Sequence, residues 1–391
     1  MNLHNHPEKH RKKLLVGGLH LGGDGYPNAQ HTLHILEGHL HLHTVECGAW
    51  LPSSMHLWRL RSAALPGKVL ALGRLLLGNL LSVCRVLGSQ GRERAPVYVP
   101  YPALFFLWWA SWIPARWRPR CLADAYISVW DAMYRDRSGG AASLSGRLLK
   151  AFESRALRVA AVVLVDTAAN KQMVEEEFKV EARRIRALPL AIDEELFAER
   201  TAAGVTGKKP TITVLFVGTL IPLHGIATIL EAVRMLLPDP RFRFRFLGDG
   251  QMGEMVERLS GEFDPERFVW IRRWLDLPDI AAEIDKADIC LGVFGGAGKA
   301  ARVLPFKIYM YLASGKPVVT QDSLSLPEST PWPPMTTVNA ASAAEVANAI
   351  VQLANDHNRR QELARAARVY YEEHLSHARI TREWQNLLQT F

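Results

Sequence analysis

Three glycines and three cations fall inside thirteen residues of this chain. Residues 295–307 read GGAGKAARVLPFK and set Gly295, Gly296 and Gly298 beside Lys299, Arg302 and Lys307, directly after the apolar run DICLGVF. Glycine lets a backbone approach a ligand closely, and ammonium and guanidinium groups neutralise phosphate oxygens. That combination at a strand end points to an anion with phosphate character. It is not a Walker A loop, because Val293 stands where the first glycine belongs and Ala300 where a Ser or Thr belongs. Cations placed where charge develops on a leaving phosphate stabilise a transition state more than a ground state. Lys299, Arg302 and Lys307 are therefore the candidate catalytic groups.

Two further turns follow strand-like runs in the same half. TVLFVG leads into TLIPLHG, where Gly218, Thr219 and His224 precede a helix whose first amides can meet an anion, and His224 can also carry a proton. RFRFRFL leads into GDGQ, with Gly248, Asp249 and Gly250 in a tight turn. One Gly-x-Gly is weak evidence alone, and it gains weight as one of several strand-end turns.

The elements that must hold these turns alternate. From residue 211 onward, strands TITVLFVGT, RFRFRFLGDG, RFVWIRR, DICLGVF and KPVVTQD are interleaved with helices GIATILEAVRMLL, LPDIAAEIDKA and PFKIYMYLAS, and a helix is expected over SAAEVANAIVQLANDHNRRQELARAARVYYEEH. Residues 1–200 give the same rhythm more faintly. Alternation of this kind predicts an α/β chain of two doubly wound, Rossmann-like domains facing across a cleft. The expected boundaries are 1–200, a Gly- and Lys-bearing linker at 201–210, 211–375, and a helix at 376–391.

Composition narrows the classes. With 391 residues, 48% of them hydrophobic, the chain can bury two cores. Residues 1–200 hold 26 Lys and Arg against 18 Asp and Glu, whereas residues 201–391 hold 21 of each, so the excess positive charge lies in the first half. An anionic partner for that half follows as an expectation, with lipid, lipid-linked phosphate and nucleic acid as candidates. No nucleic-acid module accompanies the charge, and nucleic acid is set aside. Four scattered cysteines form no metal or disulfide pattern and point to a reducing, cytoplasmic setting. The apolar run after the first lysines is short and broken by Gly17, Gly18 and His20, which reads as a buried strand and not a signal peptide. KVLALGRLLLGNLLSVCRVLG carries Arg74, Asn79, Ser82 and Arg85 at helical spacing and is expected to be an amphipathic, packed helix.

FVGTLIPLHGIATILEA, FLGDGQ, KADICLGVF and RVLPFKIYMYLASGKPVVTQDS, in this order and spacing, resemble the carboxyl-terminal domain of the family 4 GT-B glycosyltransferases, and in particular a bacterial polysaccharide-cluster subgroup. GGLHLGGDGYPNAQ, DAYISVWDAMYRDR and AVVLVDTAANKQ resemble the family's first half more loosely. The resemblance implies a retaining enzyme using a nucleotide-sugar donor, with Gly218, Thr219, Gly248, Asp249, Gly250 and Gly298 near the donor, Gly22 and Gly23 approaching the donor phosphates or the acceptor from the amino-terminal domain, and the helix at 376–391 crossing back to that domain. In retaining members the leaving phosphate takes the acceptor proton, so no protein nucleophile is required. Asp124 and Asp131 stand as candidate acceptor-side groups, with a helix- or turn-capping role equally open for each. The chain departs from the family at the two glutamates eight positions apart, where Arg302 and Met310 stand. Whether Glu328 of SLPE supplies the missing ribose contact is left open by the sequence.

FFLWWASWIPARWRPR, residues 105–120, interleaves Trp108, Trp109, Trp112 and Trp117 with Arg116, Arg118 and Arg120. Such a stretch suits an anionic membrane surface, and equally a buried aromatic helix followed by a basic turn. Nine of the fourteen histidines lie within residues 1–43, but no Cys or carboxylate completes a metal set. The expectation is a transferase moving sugar from a nucleotide donor to a lipid-linked or saccharide acceptor in cell-surface polysaccharide assembly, without metal or other cofactor, in the cytoplasm or peripheral on the inner face of its membrane. An epimerase of the same fold, or a non-catalytic nucleotide- or partner-binding relative, is the alternative.

Overall fold

The computed structural model describes residues 12–23, 26–52, 65–91, 94–135, 140–198, 211–273 and 275–391, so the linker expected at 201–210 lies outside the described residues. The chain divides into two units, Met1–Ala191 with Ile380–Phe391, and Ile192–Arg379.

The first unit carries β1 (Lys13–Val16), β2 (Leu19–His20), β3 (His43–Glu46), β4 (Ala49–Trp50), β5 (Val97–Val99), β6 (Cys121–Asp124), β7 (Val162–Val165) and β8 (Ile185–Ala187). Six of these form a parallel sheet in the order β3-β1-β5-β6-β7-β8, and β2 pairs with β4. Its helices are α1 (Asn28–Gly38), α2 (Leu65–Ser89), α3 (Leu104–Ala110), α4 (Leu144–Leu157) and α5 (Ala168–Phe178). Alternating strand residues serve opposite faces. Leu15, Val97, Val99, Cys121, Ala123, Val163 and Val165 pack with α2 to α5, whereas Leu14, Tyr98, Leu122 and Leu164 pack with α1 and the chain's last helical residues, including Trp384. Covering both faces explains why these strands read as continuous apolar runs.

α2 departs from the expected packed amphipathic helix. Its buried side includes Leu75, Val83 and Val86 but also Asn79 and Ser82, both fully buried. Ser82 Oγ accepts from the Gly18 amide at 2.7 Å and Asn79 Oδ1 from the Leu19 amide at 3.0 Å, so the polar residues hold the backbone that leaves β1. Val69, Leu70, Leu72, Leu77, Leu81 and Leu87 point outward. In α3, Phe105, Phe106 and Leu107 are buried, while Trp112 and Trp117 beyond it are exposed. Arg118 donates to the Ala110 and Ile113 carbonyls and thus caps the end of α3. The dense histidines split: His31 and His34 lie in α1, and His43 starts β3. Among the described residues no group of three or more His, Cys, Asp and Glu could hold a metal. All four cysteines are free, with Cys84 exposed on α2.

The second unit contains β9 (Ile212–Val217), β10 (Phe242–Leu247), β11 (Phe268–Ile271), β12 (Ile289–Leu291), β13 (Val318–Gln321) and β14 (Thr336–Val338), parallel throughout in the order β11-β10-β9-β12-β13-β14. Helices α6 (Ile226–Leu236), α7 (Gly253–Ser260), α8 (Leu277–Lys286), the short α9 (Lys299–Arg302), α10 (Phe306–Ala313), α11 (Ala343–Asn355) and α12 (His357–His374) surround it, and α13 (His377–Gln389) follows. The RFRFRF run resolves by period: Phe242, Phe244 and Phe246 enter the core, and Arg245 reaches Glu283 on α8 at 2.6 Å. The single helix expected over 342–374 is two helices. Asp356 Oδ1 accepts from the Arg359 amide at 2.8 Å and starts α12 afresh.

Candidate donor site of the second unit

Strand order in the second unit runs outward from β9 to β10 and β11 on one side and to β12, β13 and β14 on the other. The order therefore reverses between β9 and β12, and in open α/β sheets ligands bind outside the carboxyl ends of the strands at such a reversal. The turns after these two strands carry the residues singled out by sequence.

After β9, Gly218 adopts φ 142°, and a Cβ there would lie 2.9 Å from Lys307 Nζ and 3.4 Å from His224 Cε1. Three groups, a bare backbone, an ammonium and an imidazole, thus share one small volume. His224 closes the helical turn Pro222–His224, and its Nδ1 is 2.5 Å from the Thr219 carbonyl, which fixes the ring. α9, with Lys299 and Arg302, packs against that same turn. Gly248, at φ 120°, sits so close to the β9 turn that a Cβ would meet the Gly218 carbonyl oxygen at 2.3 Å. Asp249 accepts from the Gly250 amide at 2.8 Å and pairs with Arg272 at 3.4 Å.

Lys307, in the first turn of α10, is 5% exposed. Its Nζ has no hydrogen-bond partner among the described residues and stands 3.9 Å above the Phe216 ring. Desolvation drives its pKa well below the usual lysine value. His224 is pushed well below the usual histidine value, first by burial and then by Lys307, against the opposing Thr219 bond. The two basic groups thus share one buried pocket, and burial disfavours the charged form of both.

Gly296 and Gly298 have φ of 75° and 79°. The loop they shape is held by Gln321, whose Oε1 accepts from the Gly296 amide at 2.8 Å and whose Nε2 donates to the Gly296 carbonyl at 3.1 Å. Tyr311 hydroxyl accepts from the Val217 amide at 3.1 Å and fixes the end of β9. The sequence reading missed Phe216, Tyr311 and Gln321, although all three lie at strand ends or one turn from Lys307. Met310 is buried in α10, and Glu328 is half-buried with its carbonyl accepting from Thr330.

The remaining candidates lie in the first unit. A Cβ at Gly22 would strike Trp50 at 2.6 Å, and the Gly23 amide donates to Gln30 Oε1 at 3.0 Å. Asp124 is the last residue of β6 and not part of the loop beyond it. It is buried, and accepts from the Tyr98 hydroxyl at 2.7 Å. Burial raises its pKa to about 7 against the opposing bonds from Tyr98 and the Tyr101 backbone. Asp131 is buried in the helical turn Asp131–Arg135, 3.9 Å from Arg135. A folded-state pKa of about 7 against an ordinary 3.8 means that the unfolded chain releases this proton first. The stability that Asp124 contributes is complete at low pH and is lost as pH rises from about 4 to 7. Asp124→Asn is expected to flatten that decline, read as thermal midpoints from pH 5 to pH 8. The slope shrinks without vanishing, because Glu153 is also raised to about 7 by burial.

Residues 211–356 match the family model described as glycosyl transferases group 1. Solved structures align over nearly the whole chain. HepE from Anabaena in complex with UDP has 13% identity over 97% of this chain and 100% of that one, with a TM-score of 0.67, and HepE has also been solved with UDP-glucose. Sucrose-phosphate synthase from Thermosynechococcus elongatus has 15% identity over 97% and 99%, with a TM-score of 0.67. WaaB, a lipopolysaccharide outer core galactosyltransferase, has 11% identity over 97% and 99%, with a TM-score of 0.59. No curated protein matches the sequence. The fold is GT-B, and the class that the fold and the matched domain define is a glycosyltransferase enzyme.

Proposed function

We propose that the protein transfers a sugar, with retention, from a nucleoside diphosphate donor to a lipid-linked or saccharide acceptor in cell-surface polysaccharide assembly, acting on the cytoplasmic side of the membrane. One observation carries the donor half of this reading: a buried lysine ammonium without a hydrogen-bond partner, beside Gly218 at the sheet's point of reversal. A diphosphate supplies the anion that Lys307 lacks, and the amides exposed around Gly218 and Gly296 can add donors. HepE binds UDP and UDP-glucose, which favours a uridine diphosphate sugar, and WaaB's acceptor class favours a lipopolysaccharide-like saccharide.

In this mechanism the bond between the anomeric carbon and the β-phosphate oxygen breaks as the acceptor oxygen bonds to the same face of that carbon. The acceptor proton passes to the departing phosphate oxygen. Lys307, Lys299, Arg302 and His224 neutralise the charge that grows there, so that no metal is needed, and Asp124 and Asp131 remain acceptor-side candidates. A lipid-linked acceptor would bring the amino-terminal unit to a membrane, where residues 105–120 supply rings and cations.

Thermal stabilisation against a panel of nucleoside diphosphates and their sugars tests the reading. A shift with one base family is expected, and no shift with any of them removes the donor site. Release of an altered nucleotide sugar without acceptor would instead identify an epimerase.

A further inference from the structure

We propose that the outer faces of α2 and α4, with the turn after α3, form a docking face for an anionic lipid bilayer. α2 is apolar on both sides, which is unusual for a helix of a water-facing layer. Its polar Asn79 and Ser82 are spent inward on the Gly18 and Leu19 amides, and its outward side carries Val69, Leu70, Leu72, Leu77, Leu81 and Leu87. Leu77 is 59% and Leu81 50% exposed, and the same layer exposes Trp112 at 59%, Trp117, Leu144 and Leu148. Singly exposed apolar side chains need no explanation, but ten on one layer of three consecutive helices do.

Charge selects the occupant. Among the described residues of 65–120 and α4, the only carboxylate is Glu153, which is buried and accepts from the Val129 and Trp130 amides. The exposed charges there are all positive: Arg74 and Arg85 on α2, Arg94 before β5, Arg116 and Arg120 after α3, and Arg147 and Arg155 on α4. Arg116 lies 4.2 Å over the Trp117 ring and Arg155 4.0 Å over the Trp112 ring, which pairs each of these cations with a ring. Between the end of α3 and α4 a cavity of about 1060 Å³ is lined by Arg135, Arg147, Lys150, Arg155 and Arg158 against one carboxylate, Glu177, which pairs with Arg135 and Lys150, and the cationic excess suits a headgroup phosphate. Leucines and tryptophans interleaved with arginines, with no exposed carboxylate among the described residues of 65–120 and α4, match an anionic bilayer surface better than water or an acidic protein.

Val69–Ser89 is long and apolar enough to cross a membrane by length and composition. A lying arrangement fits better, because a spanning one would carry Arg74 and Arg85 into the hydrocarbon and break the Asn79 and Ser82 bonds that hold β1's exit. The face is separate from the donor site, and the proposal stands without the transfer reading.

The test is flotation of the full chain, without nucleotide, on vesicles of phosphatidylcholine alone or mixed with phosphatidylglycerol. Three proteins are compared: wild type, Leu77→Glu/Leu81→Glu, and Arg116→Glu/Arg147→Glu/Arg155→Glu. All five side chains are exposed, so thermal midpoints should match wild type and separate lost docking from lost folding. Wild type is expected to float with the mixed vesicles, and each variant to bind them at least about tenfold more weakly. Failure of wild type to float, undiminished flotation of the leucine variant, or indifference to the arginine reversals would each overturn the proposal. So would a vesicle-free dimer that Leu77→Glu/Leu81→Glu converts to monomer, since the face would then belong to a second copy of the chain. Nucleoside diphosphate stabilisation should be unchanged in both variants, so loss of docking and loss of the donor site read out separately.

Discussion

Lys307→Met is expected to leave the protein folded while lowering donor turnover by about two to three orders of magnitude, the loss typical of removing one preorganised group from a developing oxyanion. The ammonium is buried, touches the Phe216 ring and has no hydrogen-bond partner among the described residues. Keeping it there costs the free protein stability. An unfolded lysine holds its proton up to about pH 10.5, whereas the folded one is driven well below that value by desolvation. The unfolded state therefore binds more protons between the folded pKa and about 10.5, and folding stability falls as pH drops through that window. Methionine keeps most of the volume and the ring contact without the charge, so the thermal midpoint of Lys307→Met should equal or exceed that of wild type at pH 7.5. A bound diphosphate reverses the balance by making the charged form favourable, and binding should draw a proton from solution. Calorimetry in two buffers of different ionisation heat reads that uptake in wild type and its absence in Lys307→Met. A variant that still binds nucleoside diphosphate with wild-type affinity, or a large drop in its midpoint, would place Lys307 in the packing of α10 and not in the site.

The strands of the second unit were legible because their patterns admit one reading. The RFRFRF run alternates with period two, and its phenylalanines bury on one face as that period requires. DICLGVF and KPVVTQD are short apolar runs bounded by turn residues, and they became β12 and β13. The glycines and cations between them were legible as residue types, but not the bond from Gln321 to Gly296 or from Tyr311 to Val217, since both join residues far apart in sequence. The break at Asp356 was hidden because both flanking segments have good helix periodicity, and the cap that separates them is a single side chain. α2 shows the limit of periodicity itself. The spacing of Arg74, Asn79, Ser82 and Arg85 marks an amphipathic helix, but not which side faces in. Asn79 and Ser82 are buried because two amides leaving β1 need acceptors, a demand made by residues 60 and 64 positions away. Asp124 reads from sequence as an acceptor-side acid or a cap, yet the structure makes it a buried hydrogen-bond acceptor for Tyr98 on the adjacent strand.

Gly225→Ala is the second substitution with a large expected effect, and its reason is purely geometric. Gly225 joins the Pro222–His224 turn to α6 at φ 69°, and a Cβ there would lie 2.4 Å from both the carbonyl carbon and the oxygen of Phe294. The atoms in the way are backbone, at the start of the loop that follows β12, so no side-chain rotation relieves the overlap. Left-handed strain contributes about 1–2 kcal/mol and forced backbone displacement another 1–3, for a loss of about 2–5 kcal/mol in the second unit. Part of that strain can be released by moving the turn, which carries His224 away from Lys307 and Gly218, so nucleoside diphosphate binding should fail together with stability. Gly298→Ala provides the contrast. Its φ of 79° with ψ of −134° is also a glycine conformation, though not the left-handed helical one of Gly225, and a Cβ there meets nothing within 4 Å. Only a backbone term remains, and the cost should be about 1–3 kcal/mol. Urea denaturation of the two variants separates the terms: equal losses would mean that the approach of Gly225 to Phe294 relaxes freely, and that the turn bearing His224 is not held in place by the loop after β12.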